Sequence, residues 1–191
     1  MTVPAGTDPS GYETRLRRLG DNLADMLDGL WAEHEAGRLT LAEFHDLGAI
    51  VVVAANGQAA ALARLSVAAY ITEQTGEELP ALTAEPPAPR LDTARVKTAL
   101  ATITAGAAPI VAGRLSRLGH AEPVDAGAET FESFFETEQR ADVDGWTRKL
   151  DADPCDLCRW WAANSHKFRS HARMPRHTGC ACTQLPNITT N

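Results

Sequence analysis

SGYETRLRRLGDNLADMLDGLWAEHEAG, residues 10–37, sets the fold through its spacing. Ser10 is followed three residues later by Glu13, the pairing that caps a helix start. Tyr12, Leu16, Leu19, Leu23, Met26, Leu30 and Trp31 then recur at steps of three and four, which predicts one shared apolar face. Gly37 suits a left-handed cap at the helix end. The capping pair returns at once as Thr40 and Glu43, predicting a second long helix through Leu47, Val51, Ala54, Leu62, Leu65 and Ala69 that stops near Gly76. Two long helices joined by Gly-Arg-Leu-Thr form an antiparallel hairpin.

Beyond the hairpin, four prolines fall between Pro80 and Pro89, and proline at that density favours an extended connector. A helical stretch is expected from about Asp92 to Leu118, broken or kinked near Pro109, and another after the "GHAEP" sequence, running to Leu150. In the latter, Phe131, Phe134, Phe135, Val143 and Trp146 form a buried stripe, while Glu129, Glu132, Glu136 and Glu138 read as a solvated face. His34 and His45 flank the first turn with no third ligand nearby, and read as helix-surface residues. No repeat, phosphate-cradling glycine loop or G-x-S-x-G elbow occurs, so nothing in the body carries the chemistry of catalysis.

The 191 residues carry a net charge of −7, unevenly spread. Residues 155–191 hold five basic side chains and one acidic, against 13 and 24 in residues 1–154. A basic tail on an acidic body fits contact with nucleic acid, and equally a small module short of acids. Arginine outnumbers lysine 15 to 3, the footprint of a GC-rich genome. MTVPAGTDPS lacks the charged and apolar regions of a secretory signal. The apolar run from Leu47 to Ile71 is interrupted by Asn56, Gln58 and Arg64, which favours a buried helix over a membrane span. The expectation is a soluble protein made in a reducing cytoplasm, where clustered cysteines do metal or redox work.

All four cysteines lie in one 28-residue window, as Cys155-x2-Cys158 and then His177-x2-Cys180-x-Cys182. A C-x2-C turn lets two sulfurs face one ion, and a second clump completes a tetrahedron. Five candidate ligands compete for four positions, and a set rich in thiolate and imidazole selects zinc. Cys180 is the expected spare, because a one-residue gap makes it hard for both its sulfur and that of Cys182 to face inward. A thioredoxin-like pair would need a βαβ setting, and helices flank this one. An HNH-type nuclease would need a catalytic histidine beside the clumps; His166 and His171 are available, but no accompanying pattern stands out. Trp160, Trp161 and Phe168 are expected to cover the site, since some 30 residues need a bound ion to complete their folding energy.

GWTRKLDADPCDLCRWWA followed by PRHTGCACTQLP resembles the C-terminal motif of phage minor capsid proteins of the Mu F-like head-morphogenesis group, in the form found in tailed phages of actinobacteria. Trp146, Cys155, Cys158, His177, Cys180, Cys182 and Pro186 match that motif, and the likeness covers about residues 129–186. The chain departs from it at RWWAANSHKF, where the group often has a glycine-aromatic turn. The resemblance implies a low-copy structural protein of the virion with portal and major capsid proteins as partners. It would be present in the host cytoplasm during assembly, without enzymatic activity, small-molecule substrate or membrane contact. The basic module adds packaged DNA as a candidate partner. The alternative reading is a zinc-ribbon regulator that binds nucleic acid, with a small metal-dependent nuclease behind it.

The expected architecture is thus mainly α. A helical hairpin or bundle body carries a small α+β C-terminal module stapled by one structural Zn²⁺. Residues 1–79 form the hairpin, 80–91 the linker, 92–150 a second helical region and 151–191 the module, with Cys155, Cys158, His177, Cys180 and Cys182 as candidate ligands.

Overall fold

The computed structural model describes residues 11–76, 88–137, 142–151, 153–164, 168, 172–177 and 180–189. The protein is mainly α. Among the described residues five helices, α1 (Tyr12–Glu35), α2 (Leu41–Thr75), α3 (Thr93–Thr104), α4 (Ala108–Thr137) and α5 (Asp156–Asn164), accompany two strands, β1 (Val143–Lys149) and β2 (Thr183–Ile188). Ser10 and the stretch 77–87, with most of the proline-rich linker, lie outside the described residues. Ala88–Leu91 at its end is a 3-10 turn.

The hairpin forms as its caps dictate. Gly37 takes φ 72°, its N–H bonds the His34 carbonyl at 2.9 Å, and the Arg38 N–H bonds the Glu33 carbonyl at 2.9 Å. Those two bonds satisfy the orphan carbonyls of α1 and turn the chain back. Thr40 and Glu43 close the capping box of α2, with the Thr40 N–H donating to Glu43 Oε2 at 2.8 Å. Gly76, at φ 73°, ends α2 as expected. At the start of α1 the capping residue is Gly11, itself left-handed at φ 62°.

Two apolar clusters show the antiparallel pairing. Tyr12 and Leu16 meet Ala63, Val67 and Ile71, whereas Leu23 and Leu27 meet Phe44, Ala49, Val52 and Ala55. In α2 the buried face is not the one expected. Leu47 and Leu65 are exposed, at 40% and 61%, while Gly48, Ala49, Ala55, Ala59, Ala60 and Ala63 turn inward. The helix is apolar nearly all round, so periodicity could not choose, and close approach to α1 and α4 selects the small residues. By length and composition α2 is also the one helix among the described residues apolar enough to cross a membrane.

Downstream, α3 and α4 are separate helices, with Pro109 in the first turn of α4, where its missing N–H costs nothing. Contrary to expectation, α4 then runs unbroken through the "GHAEP" sequence, with Pro123 inside it. Proline deprives the Gly119 carbonyl of its partner. Packing against α1 and α2 on both sides of that point holds the helix together. Gly119 lies at the crossing with α1, where a Cβ would sit 2.7 Å from the backbone N and Cα of Ala24.

A charged network pins α2, α3 and α4. Glu122, 5% exposed, accepts from Asn56 Nδ2 at 2.8 Å and takes a two-pronged bond from Arg95 at 2.7 and 2.9 Å. Arg90 reaches Glu122 at 3.5 Å and holds Glu129 by two bonds at 2.6 and 2.9 Å. Arg176 approaches Asp125 at 3.6 Å and Glu132 at 3.7 Å. Glu129 and Glu132 are therefore ion-paired tethers and not the solvated face expected; Glu136 is exposed, and Glu138 lies outside the described residues. His34 and His45 are local fasteners: His34 Nδ1 bonds the Leu39 carbonyl at 3.0 Å and His45 Nε2 bonds Thr104 Oγ1 at 2.9 Å.

Where a helix to Leu150 was expected, α4 ends at Thr137 and residues 143–149 are strand β1. Val143, Trp146 and Thr147 favour a pleated surface, and Gly145, at φ 138°, takes a conformation few other residues adopt. β1 pairs antiparallel with β2, with Trp146 opposite Pro186 and Arg148 opposite Gln184. Trp146 is fully buried, stacks on Phe168 with centroids 4.0 Å apart, and donates its indole N–H to the Ala172 carbonyl at 2.9 Å. Met174 and Trp146 belong to the same cluster as Tyr12, Ile71 and Phe134, so the sheet is built into the core of the body.

Candidate metal centre

Each thiol pair is presented by a local turn that the sequence dictates. Cys155 stands immediately before α5, in the capping position, and its sulfur takes the backbone N–H of Cys158 at 3.4 Å. Cys158 lies in the first turn of that helix and is 1% exposed. On the facing segment the Cys180 N–H donates to the His177 carbonyl at 3.1 Å. Cys182 comes directly before β2.

The two turns converge. His177 Nε2 lies 3.1 Å from Cys155 Sγ and 3.2 Å from Cys158 Sγ, and Cys158 Sγ lies 3.4 Å from Cys180 Sγ. Ligand atoms around a tetrahedral zinc, with bonds of about 2.3 Å to sulfur and 2.0 Å to nitrogen, stand about 3.5 to 3.8 Å apart. Cys155, Cys158 and His177 form one group with ligand atoms within 4.8 Å of one another, and Cys158, Cys180 and Cys182 form another. All five candidate ligands are thus brought together, Cys158 is common to both groups, and the cluster is compatible with a bound metal. The four cysteines are free thiols.

Proton affinities differ across the cluster. The Cys155 thiol is held below its ordinary value, first by the Cys158 N–H at the start of α5. Burial pushes the Cys158 thiol up, and the neighbouring Cys180 sulfur adds to the effect. Cys180 is drawn down, chiefly by a hydrogen bond from Cys182, and that contact together with burial raises Cys182. A divalent cation would displace the retained protons, so its uptake is linked to pH.

The surroundings correct two expectations. Of the three aromatic residues expected to cover the site, only Trp161 does: its ring stacks on His177, with centroids 6.2 Å apart. Trp160 is 59% exposed, and Phe168 is committed to Trp146. Cys180, the expected spare, has its sulfur 3.4 Å from that of Cys158, and the Cys182 sulfur joins the same group, so the one-residue gap does not keep either out of the cluster. One residue went unnoticed in the sequence. Arg148 on β1 is 7% exposed, with Nη1 3.9 Å from both Cys158 Sγ and Cys180 Sγ. Its Nη2 donates to the Pro175 carbonyl, and its guanidinium lies 5.0 Å from the centre of the Trp161 ring. The only signal for it was an arginine seven residues before the first cysteine, in a stretch that read as helix, and no spacing rule marks such a position.

Comparison with protein-family models, with curated proteins and with solved structures finds no match for the chain.

Proposed function

We propose that the chain is a structural protein of a phage head, a minor capsid component, whose C-terminal module is held in shape by one Zn²⁺. The observation that carries the metal reading is that Cys158 Sγ lies 3.2 Å from His177 Nε2 and 3.4 Å from Cys180 Sγ, and so joins two groups of potential ligands, Cys155, Cys158 and His177 on one side and Cys158, Cys180 and Cys182 on the other. Cys155, Cys158 and His177 supply three of the ligands, and Cys180 and Cys182, both grouped with Cys158, are the candidates for the fourth position. Soft thiolates with one imidazole favour zinc, and four protein ligands leave no open position for substrate, which fits a structural role.

The capsid assignment rests on the motif from Trp146 to Pro186, and the metal-stapled module supplies a physical reason for its cysteines and histidine. Elemental analysis of untagged protein should give one zinc per chain. Cys155→Ser, Cys158→Ser and His177→Ala should each lose the metal, and one of Cys180→Ser and Cys182→Ser should retain it. The partner is tested by co-expression with portal and major capsid proteins and by probing purified virions for the chain. A chain that ignores both proteins and binds random DNA with a steep salt dependence would replace this reading with the nucleic-acid-binding regulator.

A further inference from the structure

We propose that Arg148 is the charge-compensating residue of the metal centre: its guanidinium neutralises a three-thiolate, one-imidazole zinc site and lowers the nucleophilicity of Cys158 and Cys180. The inference rests on the metal reading above and deepens it. Arg148 is 7% exposed, yet among the described residues no carboxylate pairs with it, and its Nε is buried without a hydrogen-bond partner. A guanidinium stays charged at any ordinary pH, and a buried charge without an anion is costly. The atoms facing it are the sulfurs of Cys158 and Cys180, both 3.9 Å from Nη1. Three thiolates, a neutral imidazole and a divalent ion sum to one negative charge, which one guanidinium cancels. Four thiolates would leave a second negative charge unmatched, so the arginine also fits the site to His177 as fourth ligand.

Geometry holds the arginine to that task. Its other terminal nitrogen is spent on the Pro175 carbonyl, two residues before His177, and Trp161 covers its face while stacking on the His177 ring. One aromatic ring therefore orients both the cation and the imidazole. A cation beside a metal-bound thiolate stabilises the sulfur lone pairs, and this makes the centre an inert staple and not a reactive zinc thiolate.

The test uses zinc-loaded full-length protein with Arg148→Met, which keeps an unbranched stem and removes the charge, and with Arg148→Lys. Competition with a chromogenic chelator should show Arg148→Met holding zinc 10- to 100-fold more weakly than wild type, the range found for outer partners of metal ligands. At matched zinc occupancy its thiolates should be alkylated faster by iodoacetamide, a change that loss of packing around an unaltered centre would not produce. Arg148→Lys, keeping the charge but not the fork that joins the sulfurs to the Pro175 carbonyl, should fall between. Unchanged affinity and alkylation in Arg148→Met overturn the inference. If that variant does not fold, the neutral but polar Arg148→Gln decides, and an alkylation rate equal to wild type overturns the inference. A wild-type chain that takes up no zinc refutes the metal reading itself, a distinct result.

Discussion

Two alanine substitutions in one helix should move stability in opposite directions. Gly113 and Gly119 both lie within α4, and replacing either by alanine gains about 1 kcal/mol of helix propensity. At Gly113 a new Cβ meets nothing within 4 Å, so the gain stands alone. At Gly119 it would lie 2.7 Å from the N and Cα of Ala24, backbone atoms that cannot rotate away. Restoring ordinary contact means parting α1 and α4 by about 1 Å, a gap that forfeits up to about half of the dispersion well at each touching pair. These two helices share the most extensive contact in the fold, so the cost falls at the upper end of overpacking penalties, about 2–3 kcal/mol. The net change at Gly119 is a loss of about 1–2 kcal/mol, or a Tm lower by roughly 2–8 °C for a chain of this size. Gly113→Ala should raise Tm by about 2–4 °C. Thermal and urea unfolding followed by far-ultraviolet circular dichroism read both. Shifts of the same sign would refute the close crossing of α1 and α4.

Acid should weaken the charged network, because Glu122 is buried, which alone would raise its carboxyl, yet hydrogen bonds from Arg95 and Asn56 and the charge of Arg90 hold it below its ordinary 4.5. The stability it contributes is complete above that value and lost as pH falls through the lowered one; Asp125 and Glu132, raised mainly by burial, act in the opposite sense. Glu122→Gln should cost about 3 kcal/mol at neutral pH and flatten the acid limb of urea midpoint against pH; an unaltered limb would place the acid sensitivity elsewhere. Stripping the metal with a strong chelator should abolish hydrogen-exchange protection in α5 while β1 keeps most of its own; equal loss in β1 would mean that the sheet depends on the ion.

Caps and ligands were legible because each is a short-range rule. Gly37, the Thr40–Glu43 box, Gly76 and the five metal-ligand candidates need only a few neighbouring residues to be read; the fold places the caps as expected and brings the five candidates together. The face of α2 was not, since alanine and valine surround the helix and the choice of side depends on how closely α4 approaches. Pro123 read as a stop because its local cost is real, but packing on both flanks outweighs it. β1 was hidden for a similar reason. Its pairing partner lies some 40 residues downstream, so Trp146 read as the end of an apolar helical stripe until Pro186 is placed opposite it. Glu129 and Glu132 sit at helical spacing on a face that looked solvated, and only the return of Arg90 and Arg176 from distant segments turns them inward. Arg148 is the extreme case, since its task is visible only once two turns bring sulfur to its side.

The sheet explains why the module is more than an appended bead. β2 begins directly after Cys182 and pairs with β1, so residues that follow the metal ligands are tied to a strand whose Trp146 sits in the body core. Two ion pairs add to this on the α1 side, Lys149 with Glu13 at 3.3 Å and Arg17 with Asp151 at 3.6 Å. Lys149 and Glu13 are largely shielded from solvent, which makes that pair worth more than an exposed one. Along β1, then, Trp146 anchors to the apolar core, Arg148 faces the cysteines and Lys149 grips α1, three consecutive functions within four residues. An ion held by the cysteine and histidine cluster would order α5 and the segment around His177, and Arg148 would carry that order into the strand. A small module that must keep one orientation on a long helical body gains more from such a shared strand than from a flexible tether, because ordering the turns by metal then also fixes the direction in which α5 and exposed Trp160 are presented.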